Sequence, residues 1–217
     1  MAIRLLAAGD AAVLVEFDDP ADVLPFAVAA REQAPPAVAE VVSDVVPAER
    51  TVLVRFAGHP DRAARVIDWL RSLPVGSGLV TPGPLIQLNV VYDGPDLPEV
   101  ARLTGLSPAQ VVSAHTEAEW VVTFSGFAPG FGYLRRSPVA GIDAGDPLWV
   151  PRRDEARVRV PAGAVALAAG YSGVYPRASP GGWQVIGRTD AVLWDADLDP
   201  PALLRPGVRV RFRAVTG

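Results

Sequence analysis

Three segments in the second half of the chain combine glycines, aromatics and polar residues in patterns that could form a binding site. The first is residues 124–134, FSGFAPGFGYL. Its glycines let the backbone approach a ligand, and its aromatic rings could form the walls of a pocket. A buried turn anchored by its aromatic side chains would use the same residue types, so both interpretations stay open.

The second segment, residues 151–163, is rich in arginine. Strand periodicity predicts that Arg157 and Arg159 share one face, with valines on the other. Clustered guanidinium groups suit a carboxylate or phosphate ligand. The alternative for each arginine is a solvated strand face that Asp154 and Glu155 neutralise.

The third segment, residues 175–189, contains Gly181 and Gly182 followed by Trp183 and Gln184. Successive backbone N–H groups in such a turn can hold an anion. The alternative is a tight turn with a core tryptophan.

His115 ends a predicted helix, where its charged form is favoured and where it could act as an acid or base. A histidine that only caps the helix is the alternative. The other histidine, His59, precedes Pro60 and is typical of an ordinary helix start.

The composition excludes several kinds of chemistry. The 217 residues include no cysteine, no lysine and two histidines. Disulfides, thiolate nucleophiles, a Walker A loop, a lysine Schiff base and a multi-histidine zinc site are therefore excluded.

The charge and hydropathy patterns indicate a cytoplasmic protein. The net charge of −4 lacks the basic excess of a nucleic-acid binder. No apolar run approaches 18 residues, and the N-terminus lacks the pattern of a signal peptide.

Two domains are predicted. Residues 1–82 show a ββαββα pattern, which favours a small α/β domain of two helices on an antiparallel sheet. A segment rich in proline and glycine, residues 74–84, then favours a linker. Residues 83–217 begin with a strand and two short helices and continue as short strands between turns, which is typical of an all-β barrel. Residues 96–104 form the first of these helices, with Asp96 and Glu99 at capping-box spacing, and Ser107 and Gln110 form a second box.

The three segments together resemble one protein family. The resemblance covers the whole chain and is marked by five ordered motifs: residues 126–134, 151–153, 160–163, 175–183 and 187–189. By these motifs the chain is similar to the KipI-like proteins, also known as the 5-oxoprolinase B subunit or as allophanate hydrolase subunit 1. Ala156 replaces a proline of the family pattern.

The resemblance implies an α+β N-terminal domain followed by a cyclophilin-like barrel. It also implies a hydrolase subunit that opens 5-oxoproline to L-glutamate with ATP. The implied partners are a cyclophilin-like C subunit (allophanate hydrolase subunit 2) and a lactam-utilisation A subunit. One branch of the family is instead named for inhibiting a sensor histidine kinase, which is the alternative function.

A requirement for ATP is consistent with this chemistry, because a lactam is a poor electrophile until its carbonyl oxygen is phosphorylated. That step needs positive charge on phosphate oxygens and N–H donors at the oxyanion. We therefore expect catalytic roles for His115, Arg153 and Arg188. The substrate and ATP contacts expected are Pro129, Gly130, Phe131, Tyr133, Arg159, Tyr175, Gly181, Gly182 and Gln184. We expect magnesium with ATP only in the assembled complex, no metal on this chain alone, and little activity without partners.

Overall fold

The computed structural model describes residues 3–57, 60–76, 83–137 and 145–217. The chain divides into two compact units, Met1–Thr81 and Pro82–Gly217. His59 and residues 77–82 of the predicted linker lie outside the described residues. No helix of the described part is long and apolar enough to cross a membrane.

The first unit is a four-stranded antiparallel sheet with helices on one face. Its elements are β1 (Ile3–Ala7), β2 (Ala12–Phe17), a 3-10 turn (Pro20–Asp22), α1 (Val23–Glu32), α2 (Pro36–Ala39), β3 (Val42–Pro47), β4 (Thr51–Phe56) and α3 (Pro60–Ser72). The strand order is β1-β2-β4-β3. Every second residue of β2 and β4 is buried, as expected for a sheet with one covered face. Phe26, Trp69 and Leu70 of the helices pack on that face.

The second unit begins with β5 (Leu85–Val90), α4 (Leu97–Thr104) and α5 (Pro108–Glu117). Its later strands are β6 (Trp120–Ser125), β7 (Gly132–Arg136), β8 (Arg157–Val160), β9 (Ala164–Ala168), β10 (Tyr171–Val174), β11 (Ser179–Gly181), β12 (Gln184–Arg188) and β13 (Arg209–Ala214). Seven of these strands form a sheet in the order β12-β9-β10-β7-β6-β13-β5, while β8 and β11 form a separate hairpin. The pair of β13 and β5 is parallel, and the other pairs are antiparallel.

The seven-stranded sheet is a nearly closed mixed barrel. Val91, just after β5, forms a bridge with Arg188 at the end of β12, and each backbone N–H donates to the other's carbonyl at 2.9 Å. All seven strands contribute side chains to one apolar core, which includes Trp120, Val165 and Phe212. That core is the barrel interior.

A second core covers the outer face of the barrel. In β9, Val165 and Leu167 point inward, whereas Ala164, Ala166 and Ala168 pack in the second cluster. All five residues are buried, because the sheet is covered on both faces here. The cover consists of residues from the three segments that the sequence singles out.

Candidate functional site

The three segments converge on the outer face of the barrel. The backbone N–H of Arg153 donates to the carbonyl of Gly182 at 2.8 Å, and β8 pairs with β11. The ring of Phe131 lies 5.3 Å from the ring of Tyr175 and 5.4 Å from that of Trp183, centroid to centroid. The three segments therefore lie on one face of the barrel and not on different faces.

The aromatic residues of these segments fill the space between them. Phe131, Tyr133, Tyr175 and Trp183 contact one another edge to face, an arrangement favoured by the ring quadrupoles. Phe131 and Tyr175 are almost fully buried, and burial raises the pKa of the Tyr175 hydroxyl. They are therefore core residues here, whereas Tyr133 is partly exposed.

Two predicted backbone donors, Gly130 and Gly181, have packing reasons for being glycine. A Cβ on Gly181 would lie 2.3 Å from the Tyr175 hydroxyl. Gly130 has a φ of +81°, and a Cβ there would lie 2.8 Å from the Cβ of Trp194. Gly182 has only ordinary contacts, the nearest at 3.7 Å to Ala156.

The loop before β7 carries an exposed aromatic residue. Phe127 is 59% exposed and has a φ of +65°, a backbone conformation that side chains other than glycine adopt at a cost. Pro129, two residues further on, is exposed as well. The sequence does not indicate that Phe127 is exposed and Phe131 buried, because each comes directly after a glycine.

A buried carboxylate, absent from the predicted site, organises the arginines of the second segment. Asp96 accepts hydrogen bonds from Arg153 at 2.7 Å and from both Nη groups of Arg157 at 2.8 and 2.7 Å. It also accepts from the backbone N–H of Val185 at 2.7 Å. The bond to Asp96 is the main reason that the pKa of Arg157 is raised.

This network corrects two expectations. The Asp96 side chain makes no capping bond at α4, because its oxygens bind these arginines. The partner of the arginines is Asp96 rather than Asp154 or Glu155. Arg157 therefore binds the same carboxylate as Arg153, and a phosphate would have to compete with it.

Two further predicted residues lie near this network without joining it. Arg159 is exposed on β8. Its neighbour Val158 is 90% exposed while Val160 is buried, so the valine face of β8 is covered at Val160 but not at Val158. Gln184 is buried and donates from Nε2 to the carbonyl of Pro151 at 3.4 Å, and its Oε1 has no hydrogen-bond partner in the described chain.

His115 lies in the barrel interior, away from the converging segments. Its Nδ1 is 2.7 Å from the Tyr92 hydroxyl and its Nε2 is 2.9 Å from the Ser172 hydroxyl. The ring stacks on Phe212 at 4.2 Å between centroids. Burial, with the nearby charge of Arg136, lowers the pKa of His115 to about 3, so the ring is neutral at pH 7.

Arg188 lies at the seam where the barrel closes. Its Nε donates to Asp93 at 2.9 Å, and both side chains are about half exposed. The structure therefore separates the predicted catalytic residues. Arg153 is with the converging segments, His115 is in the interior and Arg188 is at the seam. Their catalytic roles stay predictions.

A barrel whose outer face is covered by three converging segments, preceded by an α+β unit, defines the class of protein. Residues 3–204 match the family described as Carboxyltransferase domain, subdomain C and D. The chain belongs to this family, within the group that contains the 5-oxoprolinase B subunit, also called allophanate hydrolase subunit 1.

Curated relatives agree with this assignment. The chain is 42% identical over 175 residues to the 5-oxoprolinase B subunit of Escherichia coli O157:H7, covering 79% of this chain and 77% of the relative. It is 42% identical over 131 residues to the 5-oxoprolinase B subunit of Bacillus subtilis (strain 168), covering 59% of this chain and 52% of the relative.

Solved structures share the fold. The crystal structure of TTHA0988 is 31% identical with a TM-score of 0.73, and the match covers this whole chain but only 40% of TTHA0988. The conserved uncharacterized protein PH0987 from Pyrococcus horikoshii is 28% identical with a TM-score of 0.55, covering 98% and 97% of the two chains. The Kluyveromyces lactis urea amidolyase, at 18% identity and a TM-score of 0.69, shares the fold over 99% of this chain and 15% of its own.

Proposed function

We propose that this chain is one subunit of an ATP-dependent 5-oxoprolinase, which opens the lactam of 5-oxoproline to L-glutamate together with partner subunits. The observation that carries the proposal is the similarity to the 5-oxoprolinase B subunit, at 42% identity over 79% of the chain. The convergence of the three segments on one face of the barrel supports an enzyme subunit.

The chain supplies few groups of its own for this reaction. With no lysine and no cysteine, positive charge comes from arginine and oxyanion donors come from backbone N–H groups. The guanidinium of Arg153 is bound to Asp96, whereas Arg159 is exposed. A site with so few unengaged groups is better explained as one part of a composite site.

The partners in this proposal are a cyclophilin-like C subunit and a lactam-utilisation A subunit. The similarity to TTHA0988 fits a shared assembly, because this chain matches 40% of that longer polypeptide. ATP and its magnesium would bind in the assembled complex. A stable interface between the subunits would bury more than ~1,200 Å² of accessible surface in total.

One observation favours a second candidate, a protein inhibitor of a sensor histidine kinase. Such an inhibitor needs an exposed apolar patch. Phe127 is exposed, and Trp194, 41% exposed, packs against Gly130 of the same loop. In the first function the chain binds its partner subunits and contributes to catalysis. In the second it binds a histidine kinase and inhibits it.

Reconstitution tests the proposal. ATP hydrolysis that depends on 5-oxoproline should appear when the chain is mixed with both partner subunits. Tight binding to a histidine kinase, without such hydrolysis in the complete mixture, would favour the inhibitor instead.

A further inference from the structure

A small polar cavity lies at the seam of the barrel, where the last two residues of the third segment, Arg188 and Thr189, meet β5. Its volume is about 270 Å³, just below the ~300–1,000 Å³ typical of small-molecule sites. Its polar lining comes from Gln87, Asn89, Arg188, Thr189 and Asp190. We call it the seam pocket.

The two amide side chains of the seam pocket are available to a ligand. Gln87 and Asn89 are exposed on β5 and alternate with the buried Leu88 and Val90. They therefore point to the same outer face, about 7 Å apart along the strand. Neither amide hydrogen-bonds to another residue of the described chain.

Arg188 lies at the edge of the same pocket. Its backbone is anchored by the two hydrogen bonds with Val91, and its Nε donates to Asp93 at 2.9 Å. Gly187 permits this close approach, since a Cβ there would lie 2.6 Å from the carbonyl oxygen of Val91. The Nη groups of Arg188 make no hydrogen bond within the described residues, so they can donate to a ligand.

The remaining polar groups complete a balanced set of donors and acceptors. The Thr189 hydroxyl accepts from the backbone N–H of Ala191 at 3.3 Å, which leaves its proton to donate. Asp190 supplies acceptors. Arg213 pairs in register with Asn89 on the neighbouring strand, and places a second cation on this face.

We infer that the seam pocket binds a small lactam, with the carboxamide of Gln87 paired to the ring amide and that of Asn89 beside it on the same face. A lactam is held cis, so its N–H and C=O lie side by side. A carboxamide presents a matching acceptor and donor. A carboxylate on the ring would bind Arg188 or Arg213. That the lactam is 5-oxoproline rests on the proposed function.

The sequence offers a direct probe, because Asn89 is its only asparagine. Labelling the chain with ¹⁵N-asparagine alone therefore gives a single side-chain amide in an NMR spectrum, that of Asn89. We expect 2-pyrrolidinone and 5-oxoproline each to shift this signal in a saturable way. Gln87→Leu should weaken binding of 5-oxoproline by at least about tenfold, because it removes both hydrogen bonds of the paired amides.

Gln33→Leu is the matched control. Gln33 is an exposed glutamine at the end of α1 in the other unit, so this variant should bind 5-oxoproline like the unchanged chain. The absence of a saturable Asn89 shift with both probes would overturn the inference. Equal binding by the Gln87→Leu and Gln33→Leu variants would overturn it too.

The assembled complex separates this inference from the proposed function. Turnover of 5-oxoproline with a KM that Gln87→Leu leaves unchanged would refute the pocket and leave the function standing. Lactam binding at Asn89 without any turnover in the complete mixture would refute the function and leave the pocket standing.

Discussion

Asp96 and Arg157 form a bidentate ion pair. Oδ1 of Asp96 lies 2.7 Å from Nη2 of Arg157, and Oδ2 of Asp96 lies 2.8 Å from Nη1 of Arg157. The carboxylate is buried and the guanidinium is about three-quarters buried. The pair joins the start of α4 to the arginine segment, and the same carboxylate binds the backbone of β12 at Val185. Asp96 therefore holds together the elements that bring the converging segments to one face.

Asp96→Asn should destabilise the chain by ~1–3 kcal/mol. The variant leaves the charges of Arg153 and Arg157 without their carboxylate. The value lies below the ~3–5 kcal/mol of a fully buried pair, because both arginines are partly exposed. Chemical denaturation measures the free energy of unfolding.

The control for this variant is Glu99→Gln, which breaks an ion pair with Arg102 on the same helix. That pair lies on the surface, so its loss should change stability far less than the loss of Asp96. Equal effects of the two variants would show that the Asp96 network does not hold these elements together.

Acidification should destabilise the chain through His115. Its pKa is near 6.5 when unfolded and about 3 when folded, so the unfolded state binds the proton more readily between these values. The stabilisation is complete above pH ~6.5 and is lost as pH falls toward 3, by ~2 kcal/mol at pH 5. Comparing the pH dependence of unfolding with that of His115→Gln measures the contribution, and identical slopes would contradict a buried neutral histidine.

Substitution by alanine at two adjacent glycines should change the melting temperature by different amounts. Gly181→Ala would place a methyl group 2.3 Å from the Tyr175 hydroxyl, whereas Gly182→Ala makes only ordinary contacts. We expect Gly181→Ala to lower the melting temperature by several degrees, for a cost of ~1–3 kcal/mol. The Gly182→Ala variant should have a melting temperature close to that of the unchanged chain. A reversed order would show that Gly181 is not packed on Tyr175.

The sequence predicts most elements where a local signal exists. The apolar spacing of Val66, Trp69, Leu70 and Leu73 predicts a helix over residues 60–73, which is confirmed as α3. Ser107 and Gln110 form the predicted capping box. The β-branched residues of 38–46 predict a strand over that range, which is partly wrong, because Pro36 starts a short helix and β3 begins at Val42. The strand pattern does not predict β7, β10 or β11, because glycine or proline interrupts it there.

The site was harder to predict because its contacts join residues distant in sequence. Asp96 lies 57 and 61 residues from its arginine partners, and at capping-box spacing it suggested a local role. His115 meets Ser172 across 57 residues, so its burial could not be predicted from its place at a helix end. The convergence of the three segments could not be predicted either, because it depends on which strands pair in the folded sheet. The cyclophilin-like description of the barrel stays a prediction.

ATP hydrolysis dependent on 5-oxoproline directly tests whether this chain is one subunit of a 5-oxoprolinase. The assay compares this chain alone, with each candidate partner, and with both. We predict no turnover by the lone chain and robust turnover, with glutamate formed, in the complete mixture. Robust turnover by the lone chain would contradict the composite site, and no turnover in the complete mixture would contradict the assignment to a 5-oxoprolinase.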